Sequence, residues 1–304
     1  MVRRVTPAQL RAMVQKAERD QRRAIDNHNR EVRKQNAAVK RAVANYNREV
    51  RIYNSRARAH NQKVENQRRR LQQEIRRLNS RPTSTTLVTV RASTQTFVQR
   101  YEAVEATLAG QSLNVEDRRF LDLASDEAAN SAYLLNAFDG DGSPEDDLSE
   151  DQLRAPSLAA ELSPFGQDLV DRWAGALFAL SPANPDAARH FCTSAREVVI
   201  SMLDTSAPDA DVLKSEPHCE TTDRGTPTRR AKIAHLLRRR GPVAGELTEL
   251  VNSDIDNVLS LFRTFNDGTH GHAGRFTITE LTALRTRVES AVSFIHHVVS
   301  TPSG

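Results

Sequence analysis

Between positions 25 and 78 the chain keeps an alternating step of four and three residues. One line runs Ile25, Val32, Val39, Tyr46, Tyr53 and His60. The other runs Asn29, Asn36, Val43, Val50, Ala57, Val64, Leu71 and Leu78. That period is the seam of a left-handed coiled coil. The stretch holds no Gly and no Pro and is rich in Arg, Gln, Ala, Asn and Glu, a composition suited to one long helix. Residues 27–33 and 45–51 echo each other as Asn-His-Asn-Arg-Glu-Val-Arg and Asn-Tyr-Asn-Arg-Glu-Val-Arg, an internal repeat in register with the seam. The seam is thin, and Asn29 and Asn36 within it trade stability for register and favour a dimer.

Pro82 and the hydroxyl run 83–86 end that helix, because Pro cannot continue a helical ladder. Leu87, Val90, Thr94, Phe97, Tyr101, Val104 and Leu108 then recur at helical spacing. A second helix over 115–138 carries Val115, Phe120, Leu123, Leu134, Leu135 and Phe138. The two read as a helical hairpin. Residues 139–151 follow as an acidic connector. Asp139, Asp141, Asp147 and Glu150 give it the look of a calcium loop, but Pro144 stands where such a loop needs Gly. Residues 155–304 break at Pro and Gly into helices over 165–180, 185–204, 227–240, 246–265 and 279–299. Pro185-Asp186 and Thr279-Glu280 serve as starts and Gly241-Pro242 as a stop. The expectation is an all-α protein with a long N-terminal coiled-coil helix followed by a helical bundle. It divides into a basic arm (1–81), a hairpin with its acidic linker (82–154) and a helical domain (155–304).

Charge changes this picture. Residues 1–81 hold 23 Lys and Arg against 7 Asp and Glu, a net of +16 inside a chain whose total is only +4. A basic arm on an acidic body suits a polyanion such as nucleic acid. The same arm also reads as a solvated dimerisation stalk. Cys192 and Cys219 form no CxxC pair, there is no secretory pattern, and no apolar run nears the ~18 residues that span a bilayer. A cytoplasmic protein without membrane contact is expected.

The candidate chemistry gathers at 257–274. A helix runs into Arg263, the chain turns at Asn266-Asp267-Gly268, and His270 and His272 follow. A guanidinium grips phosphate in two-point fashion, and an imidazole moves a proton near neutral pH. Arg263 and His270 together can cleave RNA with no metal and no cofactor, with Asn266 or Asp267 orienting the imidazole or the ribose. The competing reading is an Asx-Gly turn capped by its own side chains. The helix at 227–240 offers Arg229, Arg230, Arg238 and Arg239 as a phosphate-binding wall, and His272 stands beside it as a further binding residue.

Arg263, six intervening residues and His270 resemble the motif of the HEPN superfamily of helical ribonucleases, in which two motifs face each other across a dimer; here Thr264 follows the Arg. A broader resemblance rests on Asp171-Arg-Trp-Ala-Gly-Ala-Leu-Phe-Ala-Leu-Ser-Pro, Pro185-Asp-Ala-Ala-Arg-His-Phe-Cys-Thr-Ser-Ala-Arg-Glu-Val and Phe262-Arg-Thr-Phe-Asn-Asp-Gly-Thr-His-Gly. These runs look like a family of predicted nucleases associated with prokaryotic PIWI-like proteins. The resemblance spans about 165–299 and implies a helical nuclease in a defence setting. It adds Arg189, Arg196, His190 and Glu197 as second-tier candidates on one helix. RNA rather than DNA as substrate, a homodimer through the arm and a defence-system protein partner are the expected associations. The alternative is a non-catalytic assembly or nucleic-acid-binding protein.

Overall fold

A computed structural model of the chain describes residues 6–80, 87–108, 115–142, 147–238, 244–266 and 276–300. Its described residues are helical, with one isolated antiparallel bridge between Thr221 and Pro227 and no strand. The helices are α1 (Pro7–Asn79), α2 (Val88–Leu108), α3 (Val115–Asn136), α4 (Glu150–Arg154), α5 (Ala159–Leu162), α6 (Gln167–Ala179), α7 (Ala187–Ser206), α8 (Asp209–Ser215), α9 (Arg229–Leu237), α10 (Ala244–Asn266) and α11 (Ile278–Ser300). The all-α architecture with a long first helix is as the periodicity predicts. None of the described helices is long and apolar enough to cross a membrane.

Contacts group the chain into two compact units, Met1–Lys63 and Val64–Gly304. In the first, the seam of α1 is open: Ile25, Val32, Val39, Val43, Tyr46, Val50 and Tyr53 are all exposed. In the second, the same heptad line changes role. Leu71 and Leu78 are buried in the bundle core, so the last two seam residues dock on this chain's own helices. Glu74 between them is buried too. Its carboxylate and its carbonyl both accept hydrogen bonds from Asn136 Nδ2, at 2.7 and 3.1 Å. Local spacing cannot distinguish these leucines from their predecessors, because both sets follow one period and differ only in what they meet.

The core joins α2, α3, α7, α10 and α11, with α6 packed on α7 and α9 on α10. Leu87, Val90, Thr94, Phe97, Tyr101, Val104 and Leu108, spaced three and four apart, are all buried. α7 buries Phe191, Cys192, Ala195, Val198, Val199, Met202 and Leu203 along one stripe. The Cys192 thiol is fully buried, and burial pushes its pKa well up. It is a small core residue.

Several local details differ from expectation. α10 and α11 flank residues 267–275, and α11 begins at Ile278 with Thr277 rather than Thr279 as its cap. Thr277 Oγ1 accepts from Glu280 N at 3.2 Å, and Glu280 Oε2 accepts from Thr277 N at 2.7 Å, a reciprocal capping box. Two carboxylates of the acidic connector are taken up by the protein itself. Asp139 pairs with Arg91, and Asp147 Oδ2 accepts from the Thr279 hydroxyl at 2.8 Å.

Four side chains form a polar knot inside the core. The Arg287 guanidinium, 1% exposed, reaches Glu127 at 2.5 Å, Asp254 at 2.6 Å and Asn257 Oδ1 at 3.0 Å. The Asn257 amide in turn donates to Ser93 Oγ at 3.0 Å and Thr94 Oγ1 at 2.8 Å. One cation faces two carboxylates. Burial, and then the charge of Asp254, push the Glu127 carboxyl up to about 8. Asp254 is also raised by burial, against the pull of Arg287. The knot ties α2, α3, α10 and α11 in one register, because a buried ion makes its hydrogen bonds only when every partner is in place.

Candidate functional site

α10 presents Arg263 and Asn266 because its apolar stripe is used elsewhere. Val251, Ile255, Val258, Leu261 and Phe262 are buried, which turns the last turn's polar residues outward. Arg263 is exposed and Asn266 half-buried. Asp267, His270, His272 and Arg239 lie outside the described residues. The two ends of the segment that carries Asp267, His270 and His272 are held together. Phe265 and Phe276 pack edge-on with centroids 5.8 Å apart, and Phe138 packs on both at 5.6 and 6.0 Å.

α7 supplies the opposing surface. Trp173 of α6 packs on Phe191 at 5.6 Å, which seats the apolar stripe of α7 inward. Arg189, His190, Thr193, Arg196 and Glu197 are left exposed on its outer face. The Thr193 hydroxyl lies 3.0 Å from Asn266 Oδ1 and 2.9 Å from the Arg189 carbonyl. This brings Asn266 of the expected catalytic set onto the helix that carries Arg189 and Arg196. Arg263 sits one turn back from Asn266, and Arg196 one turn on from Thr193. Neither has a carboxylate partner among the described residues. Arg189 is weakly matched, with Nε 3.7 Å from Asp186. Asp186 begins α7 without capping it through its side chain. Its carboxylate instead sits 3.2 Å from His190 Nε2.

The basic helix α9 is arranged differently. Arg229 pairs with Asp256, Arg230 with Glu249, and Arg238 with Glu216. Lys232 lies 2.6 Å from both Asp204 and Asp209; burial acts to lower its pKa, but the two carboxylates outweigh that and hold it raised. Each of these α9 cations therefore already has an anion, and a phosphate would have to displace it. The cations at the junction of α7 and α10 include two without such a partner. Composition alone does not separate the two groups, since the acidic partners lie 19 to 28 positions away in sequence.

Sequence periodicity did not mark the Arg287 knot, although a signal was present. Asp254 falls among Val251, Ile255 and Val258, and Arg287 among Leu284, Val288 and Ala291, so both stand at core spacing on their helices. Among the described residues no three His, Cys, Asp or Glu side chains gather as a metal-binding group.

No curated protein and no solved structure matches the chain. A family model does match, over residues 162–295, which take in α6 through most of α11 and with them the whole junction of α7 and α10. That family, which the runs at Asp171, Pro185 and Phe262 already resemble, is described as predicted pPIWI-associating nuclease.

Proposed function

We propose that this chain is a metal-independent endoribonuclease of a prokaryotic defence system, with its active site at the junction of α7 and α10. Arg263 binds the scissile phosphate and His270 moves the proton, while Asn266 and Asp267 orient the imidazole or the ribose. Arg189, Arg196 and His272 extend the phosphate-binding surface, and Arg229, Arg230, Arg238 and Arg239 border it. The observation that carries this reading is the pair of exposed guanidinium groups, Arg263 and Arg196. Each is one helical turn from the Thr193–Asn266 contact, and neither is neutralised by a carboxylate among the described residues. An unpaired, exposed guanidinium retains its full capacity for two-point phosphate binding.

The chemistry balances without a metal. The ribose 2′-hydroxyl attacks the adjacent phosphorus as the base takes its proton. The bond to the 5′-oxygen then breaks, and that oxygen leaves with a proton from the acid. A 2′,3′-cyclic phosphate and a 5′-hydroxyl result. The guanidinium stabilises the charge that builds on the phosphoryl oxygens. In this reading residues 155–304 are the nuclease-like domain and 82–154 connect it. The basic arm 1–81 pairs with a second copy and holds nucleic acid along its cations.

The test is incubation of the purified protein with labelled RNA and DNA, with and without EDTA. RNA should be cut, DNA spared and the chelator without effect. His270→Ala should abolish cutting, and Arg263→Ala should slow it by roughly 100- to 1000-fold. Equal cutting by wild type and His270→Ala would remove the reading. A second reading, a non-catalytic assembly or nucleic-acid-binding protein, is favoured by the open seam of α1, on which Val39 and Tyr53 are 61% and 72% exposed. It predicts binding to nucleic acid or to a protein partner without any cutting.

A further inference from the structure

One aromatic side chain of the bundle is placed against the usual logic of burial. Phe178 of α6 is 79% exposed, although its helical neighbours Trp173, Ala176 and Leu177 are buried. It faces a cleft of about 600 Å³ between α6 and α7, whose rim includes Arg154, Gly175, His190 and Ser194. That volume lies within the ~300–1,000 Å³ of sites that take small organic groups. Phe178 is also isolated. Among the described residues beyond Val115, no other large hydrophobic side chain is prominently exposed. A protein-docking patch gathers several such side chains around its centre, whereas one ring beside cationic and hydroxyl groups is a stacking platform.

Gly175 supplies a second, independent observation. It lies in the middle of α6, three residues before Phe178 and so on the same face. A glycine there costs roughly 1 kcal/mol relative to Ala, and packing does not demand it, because a Cβ at Gly175 would meet nothing within 4 Å. The missing side chain leaves the floor beside the ring flat and open. Two polar residues nearby are already engaged by the turn between α6 and α7. The Asn184 amide donates to the Ala179 carbonyl and accepts from Asp186 N, and Ser181 Oγ accepts from Ala183 N. The groups left at the rim are the His190 ring nitrogen that does not face Asp186, the Ser194 hydroxyl and the Arg154 guanidinium, whose Nε donates to the Glu150 carbonyl at 3.4 Å and whose outer nitrogen stands 3.7 Å from an exposed Asp151.

We infer that this cleft binds one nucleobase of a single-stranded nucleic acid, stacked on Phe178 over Gly175, with Arg154 and His190 toward its sugar-phosphate. The inference rests on the reading of the chain as a protein that handles nucleic acid, and it extends the site. His190 lies on the α7 face three residues before Thr193, so the cleft begins about one helical turn (~5.4 Å) from the Thr193–Asn266 contact. Arg196 lies six residues beyond His190 on the same helix, about 9 Å along its axis. A strand whose phosphate meets Arg263 and Arg196 would thus place a base one or two nucleotides away on Phe178.

The full chain carrying Phe178→Trp tests it directly. Trp173 is buried and gives a constant background, so the new indole reports on the cleft. Titration with a single-stranded DNA oligonucleotide and with its RNA counterpart should quench that fluorescence saturably, at the concentration where wild type binds by anisotropy. Phe178→Ala should weaken oligonucleotide binding roughly five- to hundredfold. Gly175→Leu should weaken it similarly without lowering the Tm, which separates a blocked cleft from a failed fold. Unchanged binding by Phe178→Ala, or an indole that is not quenched while the oligonucleotide binds, overturns the subsite; the latter result would point to a protein segment as the occupant. If wild type cuts no RNA yet the Phe178 effects hold, the catalytic reading fails and the subsite stands. If wild type binds no oligonucleotide, both fail.

Discussion

Thr193 and Asn266 are 73 positions apart in the chain, and their side-chain oxygens meet at 3.0 Å. This contact sets the end of α10 against the middle of α7, with Arg263 one helical turn from it on α10 and Arg196 one turn from it on α7. Both residues are partly exposed, so the bond contributes little to stability, on the order of 1 kcal/mol. Thr193→Val should leave the urea midpoint nearly unchanged and lower RNA cleavage by about tenfold or more, read from single-turnover rates. Loss of stability with intact cleavage would make the contact a packing detail.

The arginines should divide by whether a carboxylate already holds them. Arg263→Ala and Arg196→Ala should each weaken nucleic-acid binding and lower its slope against log salt by about one. Arg230→Ala should do neither, because Glu249 already neutralises that guanidinium. Binding isotherms from low to moderate salt would decide it, and equal effects at all three positions would contradict the division.

Removal of the core cation should be severe. Arg287→Met leaves Glu127 and Asp254 buried without their partner, a change that costs about 3–5 kcal/mol. Urea unfolding should show it as a large fall in midpoint. Adding Glu127→Gln and Asp254→Asn to the same chain should recover part of the loss, because the uncompensated charge is then gone.

The same knot makes stability depend on pH. The folded Glu127 carboxyl titrates at about 8, against an ordinary value of 4.5, so between these values the folded protein holds a proton that the unfolded chain releases. The stabilising contribution is complete below pH 4.5 and is lost as pH rises through about 8. Asp254, also raised, acts in the same direction. The Tm should fall from pH 5 to pH 8.5, and Glu127→Gln should flatten that fall. A wild-type Tm that climbs over this range would refute the assignment.

The arm should respond to salt in two opposite ways. The positions beside the α1 seam include Arg33, Lys40, Arg56 and Lys63, with Asp26 and Glu49 as their acidic counterparts, so pairing with a second copy brings mostly like charges together. Screening should therefore strengthen self-association while it weakens nucleic-acid binding. Sedimentation and binding measured across the same salt series would test both. A dimer that dissociates as salt rises would require a different interface.

What the sequence determined by itself was local. The long α1, the helical spacing of Val90 through Leu108, the stripes of α7 and α10 and the charge contrast between arm and body follow from residue spacing, Gly and Pro placement and composition, which act over a few turns of backbone. The runs at Asp171, Pro185 and Phe262 also carried the family resemblance. Tertiary structure decided which faces meet. Leu71 and Leu78 continue the heptad of the exposed seam, yet they lie in the core because the bundle is there to receive them. The α9 arginines look as available as Arg263 until Asp256, Glu249 and Glu216 are brought beside them. Arg287 stands at a core position, and only its approach to Glu127 and Asp254 makes a buried charge tolerable there. Periodicity records how much apolar surface a helix must hide. It does not record the partner, because a polar or charged group is satisfied by residues far along the chain whose approach depends on the packing of the whole bundle.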